Sequence, residues 1–178
     1  ALANEQMANF TNLTRQILHV SGKKQILIST EIDILTKYLE LEKMRFTTDF
    51  DYQIDLARNI DEDYHEIPPM LIQPFVENSI KHGLLHKLGN KQLFITFELD
   101  QEEKYIICTI EDNGIGRVKS AEIKSRSTNS HESFSTSALQ QRLEIWNGEF
   151  NDEIVYQDLT DSNNEPAGTR VVLKIKIS

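Results

Sequence analysis

The sequence predicts an α+β fold: a two-layer sandwich in which helices cover one face of a mixed β-sheet, preceded by an N-terminal helical hairpin. Three observations predict it. Apolar residues recur with a helical period through residues 1–46, later runs alternate with the two-residue period of strands, and further helices fall between those runs while one short linker joins two of them as a hairpin. At 178 residues and 39% hydrophobic content, the chain can bury a core of its own, and its length indicates one globular domain with a small appendage.

Met7, Phe10, Leu13, Ile17 and Leu18 recur at three- and four-residue steps and predict a first helix that stops at Gly22. Ser29 and Thr30 offer an N-cap for a second, with Glu31 and Asp33 in its first turn and Ile34, Leu35, Tyr38, Leu39 and Leu41 along its apolar side. Two amphipathic helices at one end predict a hairpin or a dimer contact. Beyond Phe46 the period changes: Phe50, Tyr52, Ile54 and Leu56 alternate with polar residues, which sets a domain boundary between 1–46 and 47–178. Leu71, Ile72, Phe75, Val76 and Ile80 predict a helix ending at Gly83, with an irregular or late start because Pro74 would break a helix interior. Leu93 to Leu99 and Ile106 to Ile110 alternate on either side of an acidic linker and predict adjacent antiparallel strands. Residues 117–134 are serine-rich and poor in apolar side chains, which predicts a mobile loop with a short helical piece after Arg117. Leu139, Leu143 and Trp146 mark a last helix, and Val171, Leu173, Ile175 and Ile177 a last strand.

Composition removes several function classes. A net charge of −9 argues against a nucleic-acid-binding surface, which needs clustered Lys and Arg to release counterions. One nucleotide is a smaller demand, met by a few cations and backbone amides. No apolar stretch approaches the roughly 20 residues that span a bilayer. The single cysteine, Cys108, lies in an apolar run and reads as a small buried hydrophobe suited to a reducing compartment.

Three segments carry chemistry. In the run from Gln73 to Gly83, helical spacing puts Asn78, Lys81 and His82 on one face; an amide oxygen there can ligate Mg²⁺, and a lysine can neutralise phosphate. Glu111 to Gly116, directly after a strand, pairs glycines that admit a flat ligand with Asp112, a carboxylate able to accept from an exocyclic amine such as adenine's. Gly168 and Thr169 lead into the final strand.

In this order the segments resemble the N box, the first glycine box and the terminal Gly-Thr of the GHKL nucleotide-binding superfamily, which includes gyrase, MutL and the histidine kinases. The stretch from Ile67 to Gly83, with its internal Pro74, is similar to the N box of the LytS/YehU-type sensor histidine kinases. Upstream, Phe10 to Arg15 and Glu31 to Phe46 resemble the region those kinases place between the phosphoacceptor and the ATP domain; Asp112 to Arg117, Lys124 to Ser127 and His131 to Phe134 resemble the lid of their Bacteroidetes members. The resemblance covers nearly the whole chain. It implies the GHKL, or Bergerat, fold and an ATP-binding catalytic domain that passes the γ-phosphoryl group of ATP to a histidine, with Mg²⁺ as cofactor. It implies Asn78 as the Mg²⁺ ligand with Glu77 beside it to orient the reacting group, Lys81 and His82 toward the phosphates, Asp112 on the adenine amino group, Gly114 and Gly116 shaping the base pocket, and Thr169 supporting Asp112. It further implies a homodimer, a response regulator of the LytTR DNA-binding type, and a cytoplasmic location within an inner-membrane sensor.

Two positions depart from that pattern. No segment here resembles the Pro-His-Phe acceptor motif, and His19 reads as a surface histidine near a helix C-terminus, so the acceptor is expected upstream of Ala1. Ser135 stands where the second glycine box has glycine; a serine can cap the helix and donate its amide, but a positive φ there would cost it about 1–2 kcal/mol. That substitution supports an alternative reading, a nucleotide-binding pseudokinase serving dimerisation and signal relay. A gyrase- or MutL-type ATPase fits less well, because Pro74 occupies the place of those proteins' acidic base.

Overall fold

The computed structural model describes residues 2–45, 50–125, 132–148 and 153–177. Helices α1 (Leu2–Ser21) and α2 (Ile28–Arg45) form the predicted antiparallel hairpin, and α1 stops one residue before Gly22. The start of α2 differs from expectation. The helix begins at Ile28, directly after the two-residue strand β1 (Ile26–Leu27), and its first amides are taken by main-chain carbonyls: Ile28 N–H by His65 and Ser29 N–H by Glu62, each at 3.0 Å. Those amides have no intrahelical acceptor and are satisfied by a neighbouring loop instead of a side-chain cap. The same loop leads into β3 (Glu66–Ile67), which pairs antiparallel with β1.

The main sheet has the order β2-β4-β5-β7-β6, from β2 (Asp51–Leu56), β4 (Gln92–Leu99), β5 (Tyr105–Asp112), β6 (Ile154–Thr160) and β7 (Pro166–Lys176). β2 runs parallel to β4 and the other neighbours are antiparallel, so the sheet is mixed as predicted. Strand alternation decides its two faces. Leu93, Ile95 and Phe97 of β4, Ile106, Cys108 and Ile110 of β5, and Leu173 and Ile175 of β7 are buried beneath the helices. The opposite face carries Thr96, Glu98, Thr109 and the Arg170–Glu111 ion pair, and is open. The hairpin helices share this core, because Ile34, Leu35 and Leu39 of α2 belong to one buried cluster with the sheet.

Pro74 proves compatible with its helix. In α3 (Gln73–Asn78) it occupies the first turn, where the missing N–H has no intrahelical acceptor to lose. From Ser79 to Leu84 the helix continues as a π-helix, with Leu85 N–H bonded to Ile80 O at 2.9 Å. Part of the stretch read as a mobile loop is helical: α4 spans Gly116–Ser125, and α5 spans Glu132–Asn147. Residues 126–131 lie outside the described residues, as does the expected boundary at 46–49. Among the described residues, no helix is long and apolar enough to cross a membrane.

Candidate functional site

The site forms where the π-helical segment crosses the ends of β5 and β7. Widening the helix to i→i+5 bonding changes which residues share a face: His82 and Gly83 follow Asn78 toward the sheet ends, and Lys81 turns away. Gly83 and Gly114 then meet at backbone distance, since a Cβ on Gly114 would lie 2.4 Å from the Gly83 carbonyl carbon, and a Cβ on Gly83 would lie 2.6 Å from Asp112 Oδ1. Only glycine permits this approach. The loop is also tied to the helix by Ile115 N–H on Gly83 O at 3.3 Å, and to β4 by Gln92 N–H on Asn113 Oδ1 at 2.8 Å.

Asp112 lies at the floor of the resulting cavity and is only 2% exposed. Gly114 N–H donates to Oδ1 at 2.9 Å, and the Ser79 hydroxyl and the Thr169 backbone N–H also donate to the carboxyl. Thr169 is Asp112's direct partner across the β5–β7 ladder, so sheet register delivers this donor. Burial nevertheless dominates, and pushes the Asp112 carboxyl up from 3.8 to about 6; the three hydrogen bonds pull the other way and the charge of Glu111 adds to the rise. Because the folded state favours the proton, this group's contribution to stability is complete below pH 4 and is lost as pH rises through about 6.

The cavity holds about 390 Å³, within the range of small-ligand sites. Asn78, His82, Gly116 and Thr169 line it with Asp112. Gly114 lies behind Asp112 as an amide donor. Glu77 and Lys81 do not join them: the two form an i,i+4 ion pair with each other on the half-exposed side of the helix. Ser135 falls in the first turn of α5, where a helical backbone replaces the expected cap position and a positive φ is not required; its side chain is outside the described residues.

Phe75, Ser79, Arg117 and Tyr156 also line the cavity and carried no site role in the sequence reading. Tyr156 stands on β6 with its ring centroid 6.5 Å from that of Phe75, and the Arg117 guanidinium lies 5.1 Å from the Tyr156 centroid. Arg117 is held there by a bidentate pair with Asp158, at 2.7 and 2.8 Å, which fastens the start of α4 to β6. A lone serine after Asn78 and an arginine after a glycine gave no spacing signal; only the fold brings them to Asp112.

No described cluster of three or more His, Cys, Asp or Glu could hold a metal by itself. A metal that binds with a nucleotide needs less: Mg²⁺ commonly takes one or two protein oxygens and completes its shell with phosphate and water. The Asn78 amide oxygen on the cavity wall is a donor of that kind.

Comparison with known proteins bears on the same regions. Residues 1–50 match the family model described as histidine kinase. The chain is 30% identical to the uncharacterized protein YwpD of Bacillus subtilis (strain 168) over 177 residues, which cover 99% of this chain and 59% of that relative. It is also 30% identical to the sensor protein LytS of Oceanobacillus iheyensis over 117 residues, 64% of this chain and 19% of LytS. The chain therefore spans less than two thirds of either relative. In fold it is similar to the histidine kinase domain of a blue-light activated histidine kinase from Erythrobacter litoralis, with a TM-score of 0.55 at 12% identity over 96% of this chain and 79% of the other. The mycobacterial sensor histidine kinase MprB aligns with a TM-score of 0.56 at 10% identity, over 86% of this chain and 96% of the other.

Proposed function

We propose that the chain, which resembles the LytS-type sensor histidine kinases, binds ATP with Mg²⁺ in its cavity for phosphoryl transfer to a histidine. The observation that carries the reading is Asp112: a buried carboxyl held by three donors at the floor of a cavity of nucleotide-binding size, with Asn78 and His82 on its wall. A carboxylate so placed accepts from an adenine amino group, and Phe75 and Tyr156 offer apolar surface beside the base. Asn78 would supply a side-chain oxygen to Mg²⁺, which when bound neutralises charge on the triphosphate. His82 lies where it can face phosphate oxygens. The Glu77–Lys81 pair must open before Lys81 reaches a phosphate or Glu77 orients a reacting group, so both act, on this reading, after ATP has bound. Catalysis then comes from holding donor and acceptor in line, because phosphoryl transfer needs positioning and charge stabilisation more than covalent help.

The acceptor histidine belongs, on this reading, to a segment preceding this one in the full protein; His19 is an exposed residue in the last turn of α1. Residues 1–46 serve as the coupling and dimerisation segment and 47–178 as the catalytic domain. The assembled protein would act as a membrane-anchored homodimer with this domain in the cytoplasm, and pass phosphate to a response regulator of the LytTR type. The pseudokinase alternative loses its support once Ser135 needs no positive φ.

Two results are expected. Asn78→Ala keeps measurable ATP affinity but loses its dependence on Mg²⁺; calorimetric titration with and without the metal checks this, and undiminished Mg²⁺ dependence contradicts the assignment. ATP affinity of the parent chain falls about tenfold per pH unit below about 6, as Asp112 takes up its proton and ceases to be an anionic acceptor. Over the same range protonation of Asp112 by itself adds stability to the nucleotide-free chain, so melting curves taken alongside separate lost binding from acid unfolding.

A further inference from the structure

Glu31 is carried by α2, yet only 1% of it is exposed. Neither of its oxygens reaches close hydrogen-bonding geometry with a donor among the described residues. Three elements surround it: the backbone N–H groups of Met70 and Ile72 face it from the turn before α3, Arg142 of α5 acts on it electrostatically, and its charge reaches Cys108 of β5. The turn it faces is strained. Met70 has φ +59°, a left-handed conformation that a side-chain-bearing residue rarely adopts, and Ile72 is right-handed at φ −87°, ψ −40°. Left- and right-handed residues in close succession aim their amides into a concavity that favours an anion. Arg142 secures the far side of the turn by donating to Pro69 O at 2.6 Å. Ile72 then accepts the first bonds of α3, from Phe75 N–H at 3.0 Å and Val76 N–H at 3.3 Å.

We infer that Glu31 is a positioning residue: its buried carboxylate holds the Met70 turn in its left-handed form and thereby sets the helix that carries Asn78 and Ser79, coupling α2 to the cavity. Its significance for catalysis rests on the nucleotide reading above; the coupling does not. Movement of α2 withdraws the anion, and protonation neutralises it, with the same consequence for the turn. Burial pushes the Glu31 carboxyl up to about 7, against the pull of the two amides and Arg142, so the proton exchanges near neutrality. Of the groups facing it, Arg142 contributes a guanidinium, and burial pushes the Cys108 thiol up and away from that range.

Amide nitrogen–proton spectra of the whole 178-residue chain between pH 5 and 8.5, without nucleotide, test the coupling. The Met70 and Ile72 amides should shift in one step near pH 7, and those of Asn78 and Ser79 should follow it. Glu31→Gln should abolish that step at all four positions and leave the Asp112-linked step near pH 6 at Ser79. Three outcomes overturn the inference: no step at Met70 and Ile72 in the parent chain, a step that stops there, or one that persists in Glu31→Gln. The parent titration is decisive on its own should the variant fail to fold. A chain that shows the coupled step but binds no ATP would sink the proposed function and leave the coupling standing.

Discussion

Asp112→Asn should lower adenine-nucleotide affinity about 100-fold while the variant melts no lower than the parent. The two halves have one cause. Ser79, Gly114 and Thr169 all donate to the carboxyl, so the asparagine oxygen keeps some of them and its NH₂ must point at the rest or into the cavity. Pointed into the cavity, it meets the adenine amino group donor to donor. A hydrogen bond to a charged group contributes about 1.5–3 kcal/mol, and a buried mismatch adds to its loss, which gives roughly two orders of magnitude. Stability runs the other way. The fold holds the ionised carboxyl at a cost, seen in its rise to about 6, and the neutral amide removes that cost on the order of 3 kcal/mol at pH 7. A variant that loses binding only because it unfolds would disprove the argument.

Gly168→Ala should be the most destabilising single substitution at the site, by about 3–5 kcal/mol, or a melting temperature lower by roughly 10 °C. Gly168 has φ +141°, and a Cβ there would stand 1.9 Å from the carbonyl oxygen of Asp112. That oxygen belongs to the paired backbone of β5, so relief requires parting β5 from β7 where Thr169 meets Asp112. Calorimetric melting checks it; a shift below 2 °C would mean that the strands part easily and that the register does not fix the Thr169 donor.

The sequence disclosed the parts of this architecture that repeat and the parts of the site that carry unusual chemistry. Alternation over eight residues revealed β4 and β5, and three-to-four spacing revealed the helices. β6 escaped because its apolar residues are interrupted by Gln157 and Asp158 at the sheet edge, and β1 and β3 are two residues each, too short for any period. Asp112 and Asn78 were legible because their segments, each ordinary by itself, occur in the order of the N box and the first glycine box. Ser79 and Tyr156 were not, because one is an ordinary helix residue until β5 passes it and the other belongs to the strand that was missed. The outward turn of Lys81 was hidden for a different reason: a 3.6-residue period assigns it to the face of Asn78, and a π-helical winding does not. Glu31 read only as an acidic residue in the first turn of a helix; its burial depends on contacts more than 35 positions away, which no local pattern encodes.

The central claim is that Asp112 reads the adenine amino group, and calorimetric titration of the parent chain at pH 7.5 with Mg²⁺-ATP and Mg²⁺-GTP tests it most directly. Guanine presents a carbonyl where adenine presents the amine, so the carboxylate should repel it. The account predicts saturable ATP binding and GTP at least 100-fold weaker, whereas equal affinities, or no ATP binding at millimolar concentration, would contradict it.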